Sequence, residues 1–511
     1  VVPVTELMRG TGATPRLTLD NLSMYTITAI ATTISGKVTN PQNASVEIDG
    51  RPVTLNEDGT FRFEVALSEG ANYIDVELYK NGTKLDTQTV IVYSRPSLPD
   101  EKRIILWVDQ AANAKKFQTS ESVYNFLKKA KDAGVTDIAF DVKGVEGFVS
   151  YKNSDLTNRP YVSELTAPVR AGANPNLDLL AEFIRHGHDL GLKVHAAMNI
   201  FAEGSIAYHE FAVIDDHLDW EEHVYRPEDN GEIKRLRESV YGQRGLNGES
   251  NGALVLFVNP ANDEVREFEL LTIEEVLKNY DVDGIMLDRA RYDNETADFS
   301  EDSRAKFEAF LQQRGKQLNK WPDDVFRYEG TTRVEGPLIQ DWWEFRAETV
   351  TGFVEQTREL VDEYERTKNR EIELSAYVGA WFETYYVHGV NWGSPNFRYD
   401  ERLGFPKSDI YTENYIAAGY AGYLDFLMVG TYYSTTAEIQ KYITIDTIVT
   451  NGELPLYAGM ALSDLLTPAL MREIFQSALG SSHGLMLFDA SLANWSVIKA
   501  AIRDEEYVKD Y

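Results

Sequence analysis

The chain contains no cysteine, which removes disulfide frameworks, thiolate metal sites and thiol nucleophiles from consideration. No apolar run approaches the ~20 residues that a membrane-crossing helix needs, so insertion of that kind is excluded and the chain is expected to be soluble. Basic residues are scarce: 50 Lys and Arg stand against 81 Asp and Glu, a formal net charge of -31. Such a surface repels nucleic acid and anionic membrane but accommodates neutral partners such as sugars. Also missing are a zincin-spaced histidine pair, a Gly-x-Ser-x-Gly elbow and a phosphate-cradling glycine loop. The N-terminal Val-Val-Pro-Val lacks the charged and apolar regions of an export signal, so any such signal is expected to have been removed from this numbering. With the absence of cysteine, this fits an exported bacterial protein that is secreted, cell-surface or periplasmic.

What is present is ample core material: 43% hydrophobic and 12% aromatic residues over 511 positions, enough for a large barrel with an appendage or for several domains. Residues 1–20 read as an irregular lead-in. From 21 to 95 short alternating segments follow, among them Ala44–Ile48, Thr60–Val65, Tyr73–Leu78 and Thr87–Val92. They are punctuated by Asp49-Gly50, Asp58-Gly59 and Asn81-Gly82. Period-two alternation with a turn every ten residues or so predicts a small immunoglobulin-like β-sandwich. No catalytic constellation lies in it; it reads as a spacer or as a substrate or cell-wall attachment module.

Residues 96–102 form a linker with two prolines at Pro96 and Pro99. From 103 to 511 apolar strands alternate with amphipathic helices. Eight strands are expected at Arg103–Val108, Asp137–Val142, Lys193–Asn199, Gly284–Asp288, Ile372–Val378, Leu424–Thr431, Leu454–Ala458 and Gly484–Phe488. The pattern predicts an α/β fold, a (β/α)8 TIM-type barrel, with excursions after the third and fourth strands over the catalytic face.

Barrel enzymes carry their chemistry where strands run out, so the strand ends are the candidate site. They display Trp107 and Asp109; Asp141 and Lys143; Asn199 and Glu203; Asp288, Arg289 and Arg291; Tyr377, Trp381 and Glu383; Tyr432 and Tyr433; and Asp489. Carboxylates packed on one rim repel unless a function holds them there. Glycosidic hydrolysis needs two, about 5–5.5 Å apart for retention and ~6.5–9.5 Å apart for inversion. Trp107, Trp381, Trp392, Tyr432 and Tyr433 offer flat faces for sugar rings. Asp288, which ends the strand Gly-Ile-Met-Leu-Asp and is followed by Arg-Ala-Arg-Tyr, is the leading candidate nucleophile, with the arginines expected to keep it ionised. Glu203 and Glu383 are the candidate acids. Asp141, Lys143, Asn199, Arg289, Arg291, Trp381, Tyr432, Asp489 and Trp107 are the candidate substrate contacts, although Asp141 beside Lys143 fits a structural ion pair equally well. No metal or cofactor is expected: Asp298–Asp302 and Asp504–Glu506 are the stretches nearest to a calcium site, but neither follows an EF-hand loop and both read as solvated surface.

Val258-Asn-Pro-Ala-Asn-Asp-Glu-Val-Arg266 followed by Tyr280-Asp-Val-Asp-Gly-Ile-Met-Leu-Asp288 resembles the signature of the glycosyl-hydrolase-like family ten group, bacterial barrels related to the α-amylase superfamily. Trp107-Val-Asp109, Asp141-Val-Lys143, Asn199-Ile-Phe-Ala-Glu203-Gly204, Tyr377-Val-Gly-Ala-Trp381 and Gly389-Val-Asn-Trp392 extend the likeness over about residues 100–495. The resemblance implies hydrolysis of glycosidic bonds in a polysaccharide, with Asp288 at the nucleophile position. It also implies an arginine two residues before that aspartate and a glutamate ending the fifth strand. Here those places hold Met286 and Ala380-Trp381, so the acid stays open among Glu203, Glu383, Asp141 and Asp489. The expectation is a secreted, retaining glycoside hydrolase of a polysaccharide. The alternatives are a peptidoglycan glycan-strand hydrolase and a non-catalytic glycan-binding or cell-surface protein on a barrel scaffold.

Overall fold

The computed structural model describes residues 13–509; Val1-Val-Pro-Val and most of the lead-in lie outside that range. Two antiparallel layers come first. Arg16–Leu19, Ala31–Thr39 and Thr60–Ala66 form a three-stranded sheet. Met24–Ile27, Thr83–Ser94, Gly70–Lys80, Ala44–Ile48 and Arg51–Val53 form a five-stranded one, in that spatial order. Ile34, Val38, Val46, Phe61, Ile74, Val76 and Val92 fill the space between them. Asp49-Gly50 and Asn81-Gly82 each close a two-residue hairpin with both residues at positive φ, the backbone that matches the strands' twist. Arg16–Leu19 pairs with Gly36–Thr39, so regular structure begins inside the stretch expected to be irregular. A four-residue edge strand is too short to announce itself by alternation.

Eight parallel strands then close into a barrel: Arg103–Val108, Asp137–Lys143, Lys193–Asn199, Gly284–Asp288, Glu373–Gly379, Phe426–Gly430, Leu456–Ala461 and Gly484–Phe488. Each is buried on both faces, which is why each reads as a continuous apolar run. Their inward residues, including Ile105, Trp107, Ala139, Ala197, Met286, Met428 and Met486, make the barrel's inner core. Their outward residues pack on helices Ser120–Asp132, Leu179–Asp189, Asp263–Asn279, Ile339–Lys368, Thr436–Val449, Pro468–Ser481 and Trp495–Arg503. Side chains of Thr119, Asp178, Asn262, Thr435, Thr467 and Asn494 cap all of these helices but Ile339–Lys368, satisfying backbone N–H groups that the helices leave orphaned.

The excursions after strands three and four hold the small sheets Ala202–Ser205 with Val255–Phe257, His223–Tyr225 with Ile233–Arg235, and Phe326–Glu329 with Thr332–Glu335. An additional helix, Glu301–Gln313, packs Phe307 and Leu311 with Phe299, Trp342 and Phe345 in a separate aromatic core. Asp298 is not solvated surface here. It is fully buried and accepts from the Ser300 and Ser303 hydroxyls at 2.5 and 2.7 Å and from His223 N–H at 2.9 Å, anchoring the helix start.

The sandwich is joined to the barrel rather than tethered by its linker. Met24, Ile91 and Tyr93 belong to the barrel's outer core, and Thr26 Oγ1 meets Thr444 Oγ1 at 2.8 Å.

Candidate active site

Side chains alternate along a strand, so each barrel strand delivers every second residue to the interior in layers. At the N-terminal end the inward layer is ionic. Arg103 bonds Asp137 at 2.5 Å, Glu373 at 2.9 Å and His195 at 3.4 Å, and its guanidinium lies 4.8 Å from the Phe426 ring centre. Ligand atoms of Asp137, His195 and Glu373 lie within 4.8 Å of one another, a spacing that suits a metal, but Arg103 already fills the cation's place. Two residues further along come Ile105, Ala139, Ala197 and Met286.

At the C-terminal end the same registers display Asp141, Asn199 and Asp288, with Trp107 and Asp109 on the first strand and Tyr377 on the fifth. Asn199 and Asp288 are direct partners across strands three and four. Arg289 adopts φ 45°, a strained left-handed conformation for a residue with a Cβ. That turn brings its guanidinium back over the strand end: Nη1 donates to Asn199 Oδ1 at 2.5 Å and to Asp288 Oδ2 at 3.4 Å. Asn199 Nδ2 reaches Asp141 Oδ1 at 3.4 Å. Met286 is inside the barrel, and the arginine that touches the carboxylate follows it in sequence rather than preceding it.

A cavity of about 250 Å³ opens here, lined by Trp107, Asp288, Arg291, Tyr377, Trp381 and Tyr385 among others. A second, of about 400 Å³, shares Asp109 and Arg289 with it and continues past Asp141 and Asn199 to Glu146, Arg170 and Tyr208. Arg291 is splayed away from Asp288, bonding the carbonyls of Tyr292 and Asp293 at 3.0 Å and stacking over Phe257. The Tyr432 hydroxyl meets that of Tyr377.

Burial pushes Asp288 up from its ordinary value, against the pull of Arg289 and Arg291. The flanking arginines therefore do not outweigh desolvation, contrary to the sequence expectation. Asp141 is pushed well above the usual carboxylate range by burial and by its neighbours Asp109 and Asp288. Asp109 is raised by burial and by Asp489.

Six expected residues do not face the cleft freely. A bulge between Asp141 and Lys143 breaks the register with the third strand and re-aims the lysine. The Lys143 ammonium sits fully buried on the carbonyls of Asn199, Ile200 and Ala202, and 2.6 Å from Glu203. Glu203 is itself clamped by Arg159 at 2.7 and 3.0 Å. Burial alone would raise Glu203, but Arg159 and Lys143 bring it down to about 2, which suits no proton donor. Glu269, whose chain position on a helix suggested nothing, completes this internal cluster. Glu383 lies on the turn Phe382–His388 and points outward to Tyr442, 3.3 Å away. Asp489 is consumed as a clasp: it accepts from Asp109 N–H at 2.7 Å, both Asn113 contacts at 3.2 Å and Ser491 N–H at 2.9 Å. Trp392 is fully buried against Phe382, and Tyr433 stacks on Tyr442; neither is a sugar platform. Asn259 of the sequence signature is structural too, tying Ser300 and Ser303 to its own turn. Tyr385, whose hydroxyl accepts from Gly379 N–H at 2.5 Å, is a cleft residue the sequence reading missed, since a 3-10 turn shows no periodicity.

Residues 15–94 match the family of glucodextranase domain B, and residues 106–365 match glycosyl hydrolase-like 10. An S-layer-related protein of Niallia circulans is 56% identical over the whole of this chain, which spans 31% of that protein's length. Among solved structures, the glycoside hydrolase domain of PgaB (BpsB) from Bordetella bronchiseptica superposes with a TM-score of 0.51 at 13% identity, covering 80% of this chain and 99% of that one. The catalytic domain of a Paenibacillus polymyxa β-amylase gives a TM-score of 0.47 at 11% identity, over 80% and 100% of the two chains. The PgaB likeness is one of fold. The family match spans half of the chain and contains the ends of the first four barrel strands, with Asp141, Asn199 and Asp288. The chain belongs to the glycosyl hydrolase-like 10 family.

Proposed function

We propose that the barrel hydrolyses glycosidic bonds of a polysaccharide with retention of configuration, using Asp288 as nucleophile and Asp141 as acid/base. The observation that supports this most directly is the pairing of two buried inward carboxylates, Asp141 and Asp288, through Asn199 and Arg289 with no full charge compensation. Asp141, whose burial beside Asp109 and Asp288 favours its protonated form, would donate to the leaving oxygen. Asp288, with Arg289 beside it, would attack the anomeric carbon, and Asp141 would then take a proton from the incoming water. Trp381 and Tyr377 would supply aromatic faces above a floor that includes buried Trp107, and Arg291 and Asn199 polar contacts, for the sugar. The test is a polysaccharide panel that includes purified sacculi, with mass spectrometry and anomer analysis of products. Retained turnover in Asp288→Asn would remove the assignment, and inverted product would remove the nucleophilic role.

A cell-surface setting is favoured by the name of the Niallia circulans relative. Fractionation of cells producing the full-length protein tests it: the envelope or the medium should hold it. A non-catalytic glycan-binding role draws on one feature, the fifth strand's Gly379-Ala380-Trp381 end with Glu383 turned outward. Saturable glycan binding with no product from any polysaccharide would favour that reading over hydrolysis.

A further inference from the structure

Helix Thr436–Val449 is buried continuously from Ile443 to Val449. Asp446 sits in the middle of this stretch, fully buried, and neither of its carboxylate oxygens has a hydrogen-bond partner among the described residues. Glu383, on the turn Phe382–His388, reaches the same face of this helix, since it is bonded to Tyr442 one turn before Asp446. Its Oε2 is likewise buried and unpartnered, while Oε1 takes a single 3.3 Å bond from the Tyr442 hydroxyl. Glu383 is the charged group acting on Asp446; Tyr433, Tyr442 and Tyr385 are also within its field. No lysine, arginine or histidine forms an ion pair with either carboxylate among the described residues.

Two facing carboxylates without a cation repel and are poorly solvated. At Asp137 and Glu203 this protein neutralises such groups with arginine or lysine. An all-oxygen, doubly negative pair is the donor set of a hard cation. We propose that Asp446 and Glu383 bind a divalent cation of the calcium type. Glu383 is only partly buried, which gives the ion a route in. Trp381 and Tyr385 flank Glu383 and line the cleft. A cation shared by Glu383 and Asp446 would pin that wall of the cleft to the helix. The site stands independently of hydrolysis.

The intact chain, stripped with EDTA and dialysed, is titrated with Ca²⁺, with Mg²⁺ and with Tb³⁺. Ca²⁺ should raise Tm by about 3 °C at saturation. Tb³⁺ should gain luminescence through Tyr442 and Tyr433, reversed by Ca²⁺. Asp446→Asn should lose both responses and, in EDTA, match or exceed the wild-type Tm, because a buried repulsion has been removed. Should that variant fail to fold, Glu383→Gln carries the same comparison. A wild-type Tm indifferent to Ca²⁺, or equal shifts in wild type and the variant tested, would overturn the proposal.

Discussion

The two ends of the barrel are built from the same registers of the same strands, yet their electrostatics are opposite. At the N-terminal end Asp137 and Glu373 share Arg103, and His195 closes the network. Burial there would raise Asp137, but His195 and Arg103 hold it well below the usual range. At the C-terminal end, four residues along each strand, Asp141 and Asp288 have one arginine between them at longer reach, and both are raised. A carboxylate is as buried in one layer as in the other; what differs is whether a cation was supplied. The closed network is bound up with stability, and the open one leaves protonatable groups lining the cleft.

The largest effect expected from breaking this contrast is at the open end. Asp288→Asn should cut turnover on the true substrate by about 10³-fold or more while leaving the unfolding transition in place; product release and thermal melting measure the two. At the closed end Arg103→Met should do the reverse. It leaves buried carboxylates unpaired and should cost about 3 kcal/mol of stability, read by urea titration, with turnover per folded molecule nearly unchanged. Asp141→Asn sharpens the division of labour: activity on a polysaccharide should fall about 10²-fold, and much less on an aryl glycoside whose leaving group needs no proton.

The pH dependence follows from the directions of the shifts. Asp109, Asp141 and Asp288 are raised in the folded state, so their contribution is fully present below the unfolded carboxylate value of ~3.9 and is lost as pH climbs through their folded values. Asp137 is lowered, so its contribution is present above ~3.9 and is lost as pH falls below it. Stability should therefore rise as pH is lowered from neutral toward ~4.5, then collapse. Chemical denaturation of Asp141→Asn should show a flatter slope in the upper range only. The smallest effect is at the rim, where Trp381→Ala should raise KM about tenfold with little loss of kcat.

Much of this frame was legible in the sequence because parallel strands are buried on both faces. Arg103–Val108, Lys193–Asn199, Gly284–Asp288 and Gly484–Phe488 fall where the apolar runs begin and end. Side chains still under strand periodicity, such as Asp141, Asn199 and Asp288, could be placed on the rim by counting. Beyond the last regular hydrogen bond, counting fails. A single bulge turned Lys143 away from the cleft to Glu203 and Glu269, and a 3-10 turn carried Glu383 to the outer layer and Tyr385 to the cleft. Partners drawn from far away were also hidden. Arg159 lies in an irregular segment, and Glu269 belongs to a helix where a charged residue ordinarily marks the solvent face. Acidic density misled at Asp298, whose neighbours Ser300 and Ser303 convert a would-be surface loop into a buried cap.

The helix Thr436–Val449 has the sandwich on one flank, through Thr26 and Thr444, and the turn that carries Trp381 on the other. Engineers who graft a different N-terminal module would be redesigning a wall of the cleft at the same time. Variation in the first hundred residues and variation at positions 443–449 should therefore be inherited together, so that the module and the cleft diversify as one heritable unit.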